Sequence, residues 1–357
     1  MEKKEIFAVF KYAGAFIAWM IGSGFATGQE ILQFFSSYGE KCIWILLVNF
    51  VGFAVLGVLL VLSGYKNRGE ENFSHYEYYC GKFLGKIYAV VVPVMLILIM
   101  AVLFSAAGAT LEQICGLNPV LGSILMAAAI LTVYLIGFEK MVKVVSSVSP
   151  VVIFFVVFVA GWTVLRDFSG WENFGAQSEA LLPFQSSPHW LLSAVLYLSL
   201  NFLSGSVYYT ELGRTAKSRR SVTLGTLLGA VVLIFTIGMM TFAILQNGNG
   251  VAAVSVPTLY LAERISRLFG STYSVVLLLG MFAACSTMLW SFCSGFYKEN
   301  KRKNKIFSVC AVTACLLLGF VPFGKLVSVV YPMIGYFGLL FIAGVLIRPL
   351  RKNRSGL

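Results

Sequence analysis

Gly22-Ser23-Gly24-Phe25-Ala26-Thr27-Gly28-Gln29-Glu30 interrupts an apolar run that extends from Phe7 to Ile21 before it and from Ile31 to Phe35 after it. Each of the three glycines costs a helix about 1 kcal/mol relative to alanine. A carboxylate just beyond them is expensive at membrane depth. A membrane helix accommodates such a patch where the chain unwinds and the freed backbone groups line a cavity or a bound ion. The stretch therefore reads as a discontinuous first helix. Gly24 and Gly28 also form a GxxxG, which by itself suits close packing on a neighbouring helix. Ser23, Thr27, Gln29 and Glu30 add polar groups that packing does not need.

The rest of the chain supports a membrane setting. It has 357 residues, of which 59% are hydrophobic and 12% charged, against roughly a quarter charged in a soluble domain. This is the composition of an all-α polytopic protein of the cell membrane. The charged start Met1–Glu5 leads into an apolar run with no small-residue cleavage site, so a removed signal peptide is not expected. The net charge of +12 falls in short segments between apolar runs. There it acts as a topology signal and needs no partner beyond anionic headgroups; nucleic acid is not expected. The seven cysteines form no CxxC pair, so neither a disulfide framework nor a cysteine metal site is expected.

Apolar runs of about twenty residues read as spans. They fall near 7–36, 43–63, 87–114, 119–137, 145–165, 190–213, 221–246, 271–297, 306–322 and 326–347. With both termini in the cytoplasm, the outer segments hold only Lys41, Arg166, Arg264, Arg267 and Lys325 of the 27 lysines and arginines. That bias supports an even number of spans. Tyr65–Lys86 is expected to hold a short cytoplasmic helix, and Arg166–Pro188 to cap an outer vestibule. Leu259–Leu268 reads as an amphipathic helix lying on the surface. One transmembrane domain is expected over 1–357.

The spans divide into two sets of five, 7–165 and 190–347. With an odd number each, the sets must have opposite orientations. The sixth span repeats the peculiarity of the first: in Leu200-Asn201-Phe202-Leu203-Ser204-Gly205-Ser206-Val207-Tyr208-Tyr209-Thr210-Glu211, small polar residues again precede a Thr and a Glu. Interrupted segments at matching places in two halves point to a transporter binding site. The expectation is a ten-helix, 5+5 inverted repeat with helices one and six discontinuous.

At these residues the chain resembles the amino acid–polyamine–organocation superfamily, with the fold of the bacterial leucine transporter. Ile21-Gly22-Ser23-Gly24 is similar to the broken first helix of sodium symporters. The Gly-Phe-Ala-Thr-Gly-Gln-Glu core of Gly22–Phe35 resembles the small group of YkvI-like bacterial permeases. The resemblance implies a solute between the two breaks, with Gly22, Ser23, Gly24, Thr27, Glu30, Phe104, Asn201, Ser204 and Ser206 as candidate contacts; Ser105 and Trp19 are further candidates for the wall. The amides near Gly22–Gly24 would cradle a carboxylate, and groups near Asn201, Ser204 and Ser206 would receive an ammonium.

The resemblance also implies one sodium ion, held by the carbonyls of Ala18, Ile21 and Ala283 and the hydroxyls of Ser286 and Thr287. A hard cation takes oxygen ligands of this kind. Serine and threonine in a helix also commonly bond back to their own turn. Two-sodium relatives carry an Asn where this chain has Phe25, so a second sodium is not expected.

Glu30 is the intramembrane carboxylate that can bind a cationic solute, carry a proton or form a gate. Glu211 has Arg214 three residues on, a helical ion pair in waiting. His75 and His189 lie at span ends, and nothing resembles HExxH or a comparable catalytic cluster, so an enzyme is not expected. The resulting expectation is a sodium-coupled symporter of an amino acid or related small amine. Proton coupling through Glu30, or export of the same solutes, is the alternative.

Orientation is directly testable. In a cysteine-free background, Arg267→Cys should react with a membrane-impermeant maleimide in intact cells, and Lys303→Cys only after permeabilisation. The reverse pattern would invert the topology.

Overall fold

The computed structural model describes residues 3–20, 23–70, 74–136, 138–166, 174–297 and 301–354. The described chain is helical, without strands: α1 (Lys3–Met20), α2 (Ser23–Ala26), α3 (Gln29–Phe34), α4 (Cys42–Lys66), α5 (His75–Cys115), α6 (Pro119–Ile136), α7 (Phe138–Arg166), α8 (Phe174–Glu179), α9 (Trp190–Arg214), α10 (Arg219–Gln246), α11 (Gly248–Ala252), α12 (Pro257–Ile265), α13 (Arg267–Tyr297), α14 (Lys301–Leu318) and α15 (Phe323–Arg354). A helix lies at each expected span, with α1, α2 and α3 sharing the first. Among the described residues, six helices are long and apolar enough to cross a bilayer. Exposed Trp44, Phe50, Phe83, Phe154, Leu165, Phe235 and Leu340 stud the outer faces. So much exposed apolar surface suits lipid rather than water.

Helix α9 forms the axis of the packing, against α4 on one side and α15 on the other, while α1 lies along α10. Glycines bring these backbones into contact, as in other membrane bundles. A Cβ at Gly64 or Gly213 would strike the Thr210 or Val61 carbonyl across α4 and α9. Gly335 and Gly338 of α15 lie in the same way against Leu196 and Ser199 of α9.

The first helix is broken. Thr27 and Gly28 separate α2 from α3, and Gly28 takes φ +81°, a conformation open to glycine at little cost. The Gly28 amide reaches back three residues to the Phe25 carbonyl, and the Gly28 carbonyl starts the ladder of α3 by accepting from Leu32. The Thr27 hydroxyl donates to the Gly24 carbonyl at 2.7 Å.

Helix six differs from expectation: α9 runs without interruption from Trp190 to Arg214. Its polar residues bond back to their own turns. Asn201 Nδ2 donates to the Tyr197 carbonyl, and the hydroxyls of Ser204, Ser206 and Thr210 donate to the carbonyls of Leu200, Leu203 and Ser206. Satisfied in this way, they need no unwinding. Gly205 serves instead as the point where the Trp19 indole closes on α9.

The short helix expected within Tyr65–Lys86 is present as residues 75–80, set off from the rest of α5 by Gly81 at φ 77°. The segment expected to lie on the surface does not. Helix α12 is shorter, starts at Pro257, and buries Pro257, Thr258, Leu259, Leu261 and Ala262. Its apolar face turns into the protein because its first turn is occupied with the break in helix one. Thr258 donates from its amide to the Thr27 carbonyl at 3.2 Å and from its hydroxyl to the Ala26 carbonyl at 2.6 Å.

Gly28→Ala forces a side chain into the left-handed region, at about 1–2 kcal/mol, and sets a Cβ against Pro257 and Thr258. It should lower the melting temperature of the purified protein more than Thr258→Val, which removes one hydrogen bond worth about 1 kcal/mol. Equal melting of Gly28→Ala and the parent chain would exclude a requirement for the left-handed turn.

Candidate functional site

The break satisfies its own backbone. The Gly24 carbonyl accepts from Thr27, and the Thr27 carbonyl from Thr258. The Ala26 carbonyl accepts twice, from the Thr258 hydroxyl at 2.6 Å and the Tyr273 hydroxyl at 2.7 Å. The carbonyls described at the break are thus engaged by protein donors.

The carboxylate beyond the break is in a different position. Glu30 lies in the first turn of α3 with 9% exposure, between Gln29 at 2% and Ile31 at 0%. The Tyr331 hydroxyl of α15 is its hydrogen-bonding side chain. Both crowd the open face of Gly24, where an added Cβ would meet Glu30 Oε1 and lie 2.8 Å from the Tyr331 oxygen. Tyr197 of α9 is close enough to Glu30 to feel its charge, and its hydroxyl lies beside the Asn201 side chain. Asn201 also keeps 9% exposure in an otherwise sealed stretch of α9. Among the described residues no lysine, arginine or histidine pairs with Glu30. The result is a buried carboxylate of α3 bonded to the Tyr331 phenol of α15, with Tyr197 of α9 and its Asn201 neighbour on a third side.

Above Glu30, α3 is tied outward. Gln29 Nε2 donates to the Ser255 carbonyl, and Gln33 Nε2 to Gln29 Oε1 and the Gly324 carbonyl. Gln33 Oε1 is buried without a partner.

Of the other expected solute contacts, Gly24 and Thr27 lie at the break, Thr27 as the internal cap already described. Gly22 lies outside the described residues, as does the side chain of Ser23. Ser204 bonds back to Leu200 and Asn201. Ser206, bonded back to Leu203 at 2.9 Å, also lies 3.2 Å from the Tyr76 hydroxyl near the N-terminal end of α5. Phe104 and Ser105 are also drawn elsewhere. Phe104 packs on Gly319, and its carbonyl accepts from Ser123; Ser105 donates to the Val321 carbonyl. Trp19 stacks on Tyr208 at 5.2 Å, joining α1 to α9. Glu211 forms the ion pair with Arg214 at 3.5 Å, a surface pair.

The expected sodium ligands are split. Ser286 is fully buried, and its hydroxyl has no hydrogen-bond partner among the described residues. Thr287 is exposed on another face of α13 and donates to the Ala284 carbonyl at 2.8 Å. Adjacent helical residues point about 100° apart, which is why one faces the core and the other does not. Ala283 is buried, Ala18 is half-buried, and Ile21 lies outside the described residues.

Tyr331 and Tyr197 escaped sequence reasoning. Each sits in a long apolar helix where an aromatic residue is ordinary core material; only Pro332 after Tyr331 marks the place, and weakly.

The chain matches no protein-family profile. It is 25% identical over 352 residues to the uncharacterized membrane protein YkvI of Bacillus subtilis, covering 96% of each chain. It is 21% identical over 349 residues to the uncharacterized protein YyaD of the same organism, covering 93% of this chain and 94% of that one. Among solved structures it resembles the manganese transporter of Eremococcus coleocola. In a complex with an aromatic bis-isothiourea compound the TM-score is 0.52 at 14% identity, over 97% of this chain and 80% of that one. For a histidine-to-alanine mutant of that transporter the TM-score is 0.51 at 13% identity, over 95% and 78%. The chain therefore has a fold found among membrane transporters.

Gly24→Ala puts a methyl where the carboxylate and phenol meet, and overpacking of this kind costs about 1–3 kcal/mol. Gly14→Ala, whose Cβ meets open space, is the control. Melting should fall for the first and stay level or rise for the second. A silent Gly24→Ala would mean that Glu30 and Tyr331 do not crowd this glycine.

Proposed function

We propose that this protein is a secondary active transporter of an amino acid or related small amine, working by alternating access across the cell membrane with both termini in the cytoplasm. The observation that carries the reading is the Glu30 carboxylate, buried beside a break in the first helix with hydroxyl and amide neighbours and no described cation. An uncompensated charge in that setting costs several kcal/mol unless something pairs with it. A transported cation or a proton is the partner such a site is built for.

Helices at all ten expected positions, and a fold shared with a solved transporter, support a 5+5 inverted repeat in which one bundle rocks against the other. The break then lies between the moving parts, with α2 packed on α13 and α3 on α9 and α15.

The structural relative is a manganese transporter. Among the described residues of this chain no three of His, Cys, Asp and Glu gather to hold a metal ion. A lone carboxylate with phenol and amide neighbours suits an amine better than a divalent cation, which takes six or more oxygens.

Sodium is the leading coupling ion, supported by the buried, unpartnered Ser286 hydroxyl. With Thr287 on the outer face, such a site draws on Ser286 and the backbone carbonyls of Ala18, Ile21 and Ala283. Proton coupling is the second reading, and the burial of Glu30 favours it. Import and export use the same geometry.

Uptake into proteoliposomes under a sodium gradient alone, then a proton gradient alone, separates these. Sodium coupling predicts uptake driven by sodium and reduced at least about 10-fold by Ser286→Ala, equivalent to roughly 1.4 kcal/mol. Uptake indifferent to sodium and to Ser286→Ala, but abolished by Glu30→Gln, would replace it with proton coupling. Flux rising linearly without saturation would discard the carrier in favour of a channel.

A further inference from the structure

We infer that the solute is a net cation, an organic ammonium without a carboxylate, and that Tyr331 and Tyr197 are the residues that select it. The inference rests on the carrier reading and narrows it. A zwitterionic amino acid needs two complementary ends in its site: an acceptor group for the ammonium and a donor group for the carboxylate. The structure supplies the first and leaves the second unbuilt among the described residues.

The acceptor end is concrete. Glu30 Oε1 and the Tyr331 oxygen converge on the bare face of Gly24. From α9 the Tyr197 hydroxyl, itself beside the Asn201 side chain, lies within electrostatic range of Glu30. An ammonium offers three or fewer N–H donors and one charge, and it meets here the Glu30 carboxylate and the Tyr331 phenol oxygen, with the Tyr197 hydroxyl within range of the same charge. Aromatic rings beside a desolvated cation add a cation–π attraction. Glu30 is the most accessible residue of α3, at 9% against 2% or less for the other five, and Asn201 keeps the same residual exposure on α9.

Among the described residues, which leave out Ile21 and Gly22, no donor end is built. Helix six is continuous, so α9 presents no freed amides to an anion. Helix α2 is four residues long, too short to gather a helix-terminal field. No described lysine, arginine or histidine stands beside the cluster to neutralise a second carboxylate. A solute carboxylate brought next to an ionised Glu30 would meet a like charge in a low-dielectric setting, which opposes binding.

The test uses full-length protein in lipid nanodiscs, with matched pairs differing by one carboxylate: putrescine and ornithine, tyramine and tyrosine, isobutylamine and valine. Binding is measured by calorimetry and transport by radiolabel uptake into proteoliposomes. In the pair that fits the site, the amine should bind at least about tenfold more tightly than its amino acid. Glu30→Gln should abolish that preference. Tyr331→Phe and Tyr197→Phe, which keep the rings and remove the hydroxyls, should each weaken amine binding while leaving the melting temperature near that of the parent chain. If the amino acid binds as tightly as its amine or better in every pair that binds, the inference is overturned and the carrier reading stands. If no member of any pair binds or is transported, both are overturned. The comparison within each pair uses the unaltered protein, so a variant that fails to fold does not blunt it.

Discussion

A backbone carbonyl bared inside a bilayer has no water to turn to, and the carbonyls of Gly24, Ala26 and Thr27 impose that constraint on the rest of this molecule. Their donors come from three places: Thr27 in the break itself, Thr258 at the start of α12, and Tyr273 in α13. Meeting this requirement pulls α12 inward and anchors the segment between α10 and α13. It also holds α3 at an angle that the left-handed turn at Gly28 sets. Glu30, two residues past that turn, is delivered to the Gly24 face as a consequence.

Helices one and six begin from similar ingredients and end differently. Both carry glycine among small polar residues, followed by Thr and Glu. In the first, Gly28 takes a positive φ and tertiary donors wait for the freed carbonyls. In the sixth, Gly205 stays helical, and Asn201, Ser204, Ser206 and Thr210 satisfy themselves against carbonyls one turn back. Unwinding is favourable only where something outside the helix pairs with what it frees. Around α9 the neighbours are α4 and α15, packed through glycines with their backbones touching, and among the described residues no donor side chain plays the part of Thr258. The asymmetry leaves one broken helix facing one intact helix, with a single carboxylate between them.

That arrangement bears on chemistry. The carbonyls of Gly24, Ala26 and Thr27 are committed to internal hydrogen bonds, so under the proposed reading the polarity left for a solute is carried by side chains: Glu30, Tyr331, Tyr197 and Asn201. Side-chain sites of this kind are set by which helices meet, and α15 contributes as much as the two helices that carry the motif. The polar ladder of Gln29 and Gln33 above Glu30 joins α3 to Ser255 and to Gly324. The element bearing the carboxylate is thereby fastened to the segments before α12 and at the start of α15.

The sequence by itself determined the membrane setting, the positions of the helices, the interruption ahead of Glu30 and the presence of a carboxylate just beyond it. These follow from composition, from span length set by bilayer thickness, and from the local cost of glycine and charge, all of which act along the chain. It also anticipated the short helix before Gly81 and the Glu211–Arg214 pair, both interactions between near neighbours. Tertiary structure alone decided whether polar residues in helix six would break it, and which of Ser286 and Thr287 faces inward. It likewise decided that α12 would be buried and that two tyrosines from distant helices would flank the carboxylate. Each of those outcomes depends on whether a donor or acceptor from elsewhere in the fold arrives within hydrogen-bonding distance. Residue spacing along one helix carries no information about that.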